Sequence, residues 1–246
     1  MSKNKIHPCK KWSRRPDGIN QKDIDEAGGC SSSEPASVLT VWKKSSMSFQ
    51  GTDGFTVFDD SGRLCFRVEN YSRYKHRSFG LYGGCGALVL MDGAGRPLLT
   101  LKPQMFSLQR QWDAYAETEC LSDGHQSLQT FVFTMRKQTT FAHKSYQIEA
   151  EIFMGKAEGA PVRKCPDFSI EGSFKRRSCR ITRFPGGEVI ATISRKKVTN
   201  MTVFLSDEVF SLAVVPGFSC ELVMAFVVIL DRICGAKYIP SLCCGT

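Results

Sequence analysis

The chain has 246 residues, 42% of them hydrophobic and 11% aromatic, which is enough to bury a sizeable core in one β-rich domain with a tail. Thirty-three Lys and Arg against 24 Asp and Glu leave a formal charge of +9, which favours anionic partners such as phospholipid head groups, phosphoinositides or nucleic acid. The 11 cysteines are odd in number and contain no C-x-x-C, which argues against a disulfide framework and for free thiols in a reducing compartment, most of them small core residues.

Met1 to Pro8 has no apolar run, and position 2 is Ser rather than Gly, so neither export nor N-myristoylation is expected and the protein is placed inside the cell. Residues 1 to 36 mix Lys10-Lys11, Arg14-Arg15, Asp23, Gly28-Gly29 and Ser31 to Ser33 with almost no apolar periodicity, and read as a disordered basic and polar arm. A domain over residues 37–240 follows, in which short β-branched and aromatic runs alternate with turn residues, the pattern of an antiparallel barrel or sandwich.

Two segments resemble each other: Phe55 to Phe66, with Asp59, Gly62 and Arg63, and Leu88 to Leu99, with Asp92, Gly95 and Arg96. Each reads strand, Asp-x-x-Gly turn, strand, in which the Asp bonds the turn backbone and the Gly supplies positive φ. Further hairpins are expected at Leu121 to Gly124, Phe184 to Gly187 and Leu205 to Glu208, making ten to twelve strands. Pro103 to Ala116 looks less regular, with Phe106, Leu108, Trp112 and Tyr115 as anchors, and Gly155 to Pro166 reads as an exposed connection.

Cys220 to Gly235 shows neither alternation nor a turn and is long enough for a helix, with Ser219 as N-cap, Glu221 and Arg232 complementing the helix dipole, and Gly235 at the end. Only Leu222 to Leu230 is uninterrupted by charge, well short of the roughly 20 residues of a membrane span. A helix apolar on every side must be surrounded by protein, so Phe226, Val227, Ile229 and Leu230 are expected to fill the core together with Trp112.

At this point the chain resembles the plant LURP-one-related family, whose domain is similar to the C-terminal domain of tubby proteins and to phospholipid scramblases. The likeness covers residues 37 to 238. It rests on Gly54 to Asp59 with Phe66 to Tyr71, Leu98 to Lys102, Ser107 to Trp112, Gly172 to Cys179, and Val227 to Asp231. The resemblance implies a mainly β fold: a closed antiparallel barrel of about twelve strands around a central hydrophobic C-terminal helix. Where the family usually has an acidic pair after the aliphatic run, Asp231 is followed here by Arg232.

No enzyme is expected. His7, His76, His125 and His143 are widely spread and sit in no catalytic motif, no metal-ligand spacing is present, and Gly83 to Gly86 lacks the Gly-Lys-Ser/Thr of a phosphate loop. No cofactor is implied. The sequon at Asn200 to Thr202 has no bearing on an intracellular chain. In the tail, residues 241–246, Cys243 and Cys244 match a prenylation box only in cysteine position, while acylation of the pair stays open.

Three basic clusters remain: Arg73, Lys75 and Arg77, beside His76; Lys175, Arg176 and Arg177, with Arg180 nearby; and Arg195, Lys196 and Lys197. They read as solvated strand faces or as one converged anion-binding patch. The family resemblance favours anionic membrane lipid or phosphoinositide. Nucleic acid is disfavoured, because only Tyr71 and Tyr74 interleave with the basic residues. The expected protein is a monomeric, non-catalytic binding module, cytoplasmic or peripheral to membrane, with a role in plant defence signalling. The alternative is a membrane-tethered transcription regulator released to the nucleus. Lipid scrambling itself is disfavoured by a helix too short and too buried to span.

Overall fold

The computed structural model describes residues 36–43, 54–70, 87–104, 110–118, 128–138, 148–155, 165–197 and 205–235. The arm (save Ala36), the tail, all four histidines, Gly83 to Gly86 and the expected turn at Leu121 to Gly124 lie outside them. Twelve strands run in chain order: β1 (Ser37–Lys43), β2 (Phe55–Phe58), β3 (Leu64–Asn70), β4 (Leu88–Asp92), β5 (Pro97–Pro103), β6 (Gln111–Thr118), β7 (Leu128–Lys137), β8 (Ile148–Met154), β9 (Phe168–Ser173), β10 (Ser178–Arg183), β11 (Val189–Arg195) and β12 (Val209–Val214). Each pairs antiparallel with its chain neighbours, and β1 closes on β12 to complete a barrel.

A closed barrel of about eight strands is filled by its own side chains; twelve leave a lumen wide enough for a helix roughly 10 Å across. That helix is α1 (Cys220–Cys234), and Val223 to Leu230 are completely buried within it. Strand alternation supplies the lining. In β12, for example, Phe210, Leu212 and Val214 are buried while Val209, Ser211 and Ala213 are partly exposed. Phe226 of α1 packs edge-on against Phe133 of β7, with centroids 4.8 Å apart, and 5.9 Å from Phe168 of β9.

Both helix ends are chemically closed. The Ser219 hydroxyl accepts from the Leu222 amide at 3.2 Å. At the other end Gly235 is extended rather than left-handed, and its amide donates to the Asp231 carbonyl at 2.8 Å. A Cβ there would lie 2.9 Å from that oxygen, so the requirement for glycine comes from close approach and not from positive φ. The carbonyl end of the helix also receives Arg110, whose Nη1 donates to Ile233 at 3.1 Å, and Lys43, which pairs with the buried Asp231 at 2.8 Å.

The Asp-x-x-Gly-Arg turns form as their chemistry predicts. Asp59 accepts from the Ser61 and Arg63 amides and from the Ser61 hydroxyl, and its second oxygen accepts from the Arg63 guanidinium. Asp92 repeats the pattern with Ala94 and Arg96. The Ser61 hydroxyl and Arg63 amide hold the Asp59 carboxyl at about 2. A depressed carboxylate stabilises the fold above the ordinary Asp range and loses that contribution as pH falls through its own value. Carboxyl-detected NMR titration is expected to place the Asp59 midpoint near 2, with the Ser61 and Arg63 amide shifts moving alongside; a midpoint in the ordinary range would remove the turn network from solution.

One expectation needs correction. Gln111–Thr118, which overlaps the stretch expected to be less regular, is a strand with one register shift against β7 between Ala114 and Tyr115, and Trp112 belongs to its inward row. Tertiary pairing with β5 and β7 overrides the weak local pattern. Of the five described cysteines, Cys179 is buried in the core, Cys65, Cys220 and Cys234 pack partly buried against it, and Cys165 is exposed; the other six lie outside the described residues.

Candidate anion-binding groove

Two of the three basic clusters meet on the outside of the barrel. The turn Phe184 to Gly187 folds β10 back onto β11, and the register sets Ser178 opposite Ser194. Residues just before Ser178 therefore lie beside residues just after Ser194. The Lys175, Arg176 and Arg177 cluster, which closes the β9–β10 turn, is thus brought next to Arg195, Lys196 and Lys197. An open groove of about 650 Å³ lies between them. The third cluster, Arg73, Lys75 and Arg77, falls outside the described residues.

The groove floor is a row of hydroxyls. Ser178 pairs with Ser194, Ser194 with Ser211 and Ser211 with Thr40, so four successive strands present small polar side chains on one outward line. Ser178, Ser194 and Ser211 line the groove itself. A serine hydroxyl both donates and accepts, and beside fixed cations it serves as a hydrogen-bond donor to anion oxygens. These serines escaped the sequence reading because an isolated Ser in a strand carries no signal, whereas the register that aligns them does.

The cations differ in their surroundings. Lys175 and Arg176 are exposed, Lys196 is half-exposed, and among the described residues none of the three forms an ion pair. Arg195 donates to Asp207 at 2.9 Å, and Arg180 on the next outward row lies 3.8 Å from Glu171. Lys197 is exposed at the end of the groove.

Arg177, grouped with its neighbours in the sequence, is set apart by the fold. It is only 7% exposed and adopts φ +52°, with its guanidinium 4.3 Å from the Phe174 ring and 4.4 Å from the Phe210 ring. Nε donates to the Asp207 carbonyl at 2.8 Å, while Nη1 is buried without a hydrogen-bond partner. Burial lowers its pKa from the ordinary arginine value, and Asp231 and Asp207 oppose that shift. Arg177 thus ties the groove floor to the helix exit and contributes positive potential from below.

The two thiols described beneath this wall are protonated groups. The Cys179 and Cys234 thiols are each pushed up to about 12 by burial, with Glu149 adding to both, and Cys234 lies 3.3 Å from the Glu149 carboxylate. Among the described residues no group of His, Cys, Asp and Glu could hold a metal ion, and no helix is long and apolar enough to cross a membrane.

Residues 37–231 match the family model described as LURP-one-related. The chain is 36% identical over 197 residues to Protein LURP-one-related 5 of Arabidopsis thaliana, covering 80% of this chain and 83% of that protein. It is 29% identical over 210 residues to Protein LURP-one-related 17 of the same plant, covering 85% of each. An X-ray structure of an Arabidopsis thaliana protein superposes with a TM-score of 0.50 at 21% identity, over 81% of this chain and 91% of that one, a likeness of fold.

Proposed function

Starting from the fact that this chain belongs to the LURP-one-related family, we propose that its barrel is a non-catalytic module, akin to tubby C-terminal and scramblase-like domains, that binds anionic phospholipid or phosphoinositide head groups. The observation that carries this reading is the convergence of two basic clusters, twenty residues apart in the chain, on one groove floored by Ser178, Ser194 and Ser211. A phosphate entering there meets cations on both rims and hydroxyl donors beneath. Each Lys or Arg near an anionic surface adds about 1 kcal/mol of attraction, so Lys175, Arg176, Lys196 and Lys197 together suffice for reversible docking from the cytoplasm.

Vesicle flotation tests the proposal. The full chain is expected to float with phosphatidylcholine vesicles carrying phosphatidylserine or phosphatidylinositol bisphosphate and to stay behind with neutral vesicles. Joint charge reversal at Lys175, Arg176, Lys196 and Lys197 is expected to reduce recovery at least about tenfold with thermal stability retained. A soluble inositol phosphate that competes fully in the bisphosphate arm, with no response to phosphatidylserine, assigns the groove to the phosphorylated head group and not to surface charge. Equal recovery on neutral and anionic vesicles, or unchanged recovery of the reversed variant, overturns the reading.

A further inference from the structure

Beside the groove, on the outer wall formed by β11, β12 and β1, Trp42 and Leu205 stand exposed at one end, with Val38 four residues from Trp42 along β1. Trp42 is 45% exposed, Val38 45% and Leu205 38%, although outward positions of a barrel facing water are ordinarily polar. Trp42 contacts Phe58 edge-on, with centroids 5.8 Å apart, which fixes the indole without covering it. The register locates it. Trp42 pairs with Val209, and extending the pair Arg195 and Phe210 by one residue sets Val209 opposite Lys196. Trp42 and Lys196 therefore share a row two strand spacings wide, about 10 Å. Leu205 adjoins that row, since its amide donates to the Lys196 carbonyl at 2.9 Å.

We infer that this wall is the membrane-docking face, with Trp42 as an interfacial anchor and Leu205 as a second apolar contact while the groove cations hold anionic head groups. The inference rests on the lipid reading of the groove. A bilayer is the occupant that the charge selects. Lys175, Arg176, Lys196 and Lys197 outnumber Asp207, Glu208 and Glu171 nearby, of which Asp207 already pairs with Arg195 and Glu171 faces Arg180. An indole prefers the head-group level of a membrane, where its ring meets acyl chains and its N–H meets water. Apolar residues beside cations match the layering of a lipid surface, charge at the phosphates and apolar groups just beneath. The barrel would then lie with β1 and β12 against the membrane and α1 enclosed, so that no part of the core has to open.

Fluorescence of the full chain tests this. On phosphatidylcholine vesicles with about 20% phosphatidylserine, tryptophan emission is expected to shift to the blue and to be quenched when the acyl chains carry bromine. Trp42→Phe is expected to abolish the quenching, which separates Trp42 from Trp12 and from the buried Trp112. Trp42→Ser should weaken partitioning about tenfold with the melting temperature unchanged, and the loss should persist at about 0.5 M salt, where the cationic contribution is screened. Vesicle binding without quenching, or a Trp42→Ser variant that binds like wild type, overturns the docking face and leaves the groove reading standing. Absence of binding to any anionic vesicle overturns both.

Discussion

Val227→Asp is expected to leave the chain without a cooperative unfolding transition, whether or not vesicles are present. Val227 is fully buried at the middle of α1 and encircled by the barrel lining. Among the described residues a carboxylate there meets only the apolar lining, and an unpaired buried charge costs several kcal/mol even after relaxation. Loss of the valine packing adds to that cost, against a total stability of about 5–15 kcal/mol for a domain of this kind. Phe226→Asp should behave alike, since it also removes the ring contacts with Phe133 and Phe168. Phe226→Leu, which keeps an apolar filler, should cost no more than a few kcal/mol and retain a sharp urea transition. A soluble Val227→Asp variant that melts cooperatively would contradict the enclosed position of the helix.

The second large effect is expected at Arg177. Replacing it with Ala removes a guanidinium held between two aromatic rings, its bond to the Asp207 carbonyl and a positive charge facing Asp231. Desolvated cation–π contacts and buried charged hydrogen bonds of this kind together amount to about 3 kcal/mol, or roughly 6–12 °C in melting temperature for a domain of about 200 residues. Arg177→Lys should not restore it, because an ammonium cannot stack flat between Phe174 and Phe210. Arg176→Ala, on the exposed neighbour, should stay within about 0.5 kcal/mol of wild type. Calorimetry on the three variants gives the comparison, and equal melting temperatures for Arg176→Ala and Arg177→Ala would refute the structural role.

Arg177 also shows where reading the chain stops. Lys175, Arg176 and Arg177 look equivalent as a run, and nothing local distinguishes the residue that turns inward at positive φ from its two solvated neighbours. The pairing of that run with Arg195 to Lys197 was, by contrast, within reach. A turn at Phe184 to Gly187 implies a hairpin that brings the two clusters near each other, although the register shift between Ile181 and Thr182 moves the count by one residue. Trp42 was silent for another reason. A tryptophan in a strand of alternating residues reads equally well inward or outward until the register with β12 and β2 is known.

By itself the chain determined what depends on neighbours in sequence: the Asp59 and Asp92 turns, the strand texture, the capped helix and its uniform apolarity, which admits only an enclosed position. These follow from backbone chemistry and from periodicity, both local. Tertiary structure alone decided the register in which β1 meets β12, that Lys43 reaches the buried Asp231, and that serines from three strands line up under two basic clusters. Those outcomes depend on register across pairs of strands far apart in the chain, and a shift of one residue in any of them would turn every side chain to the opposite face.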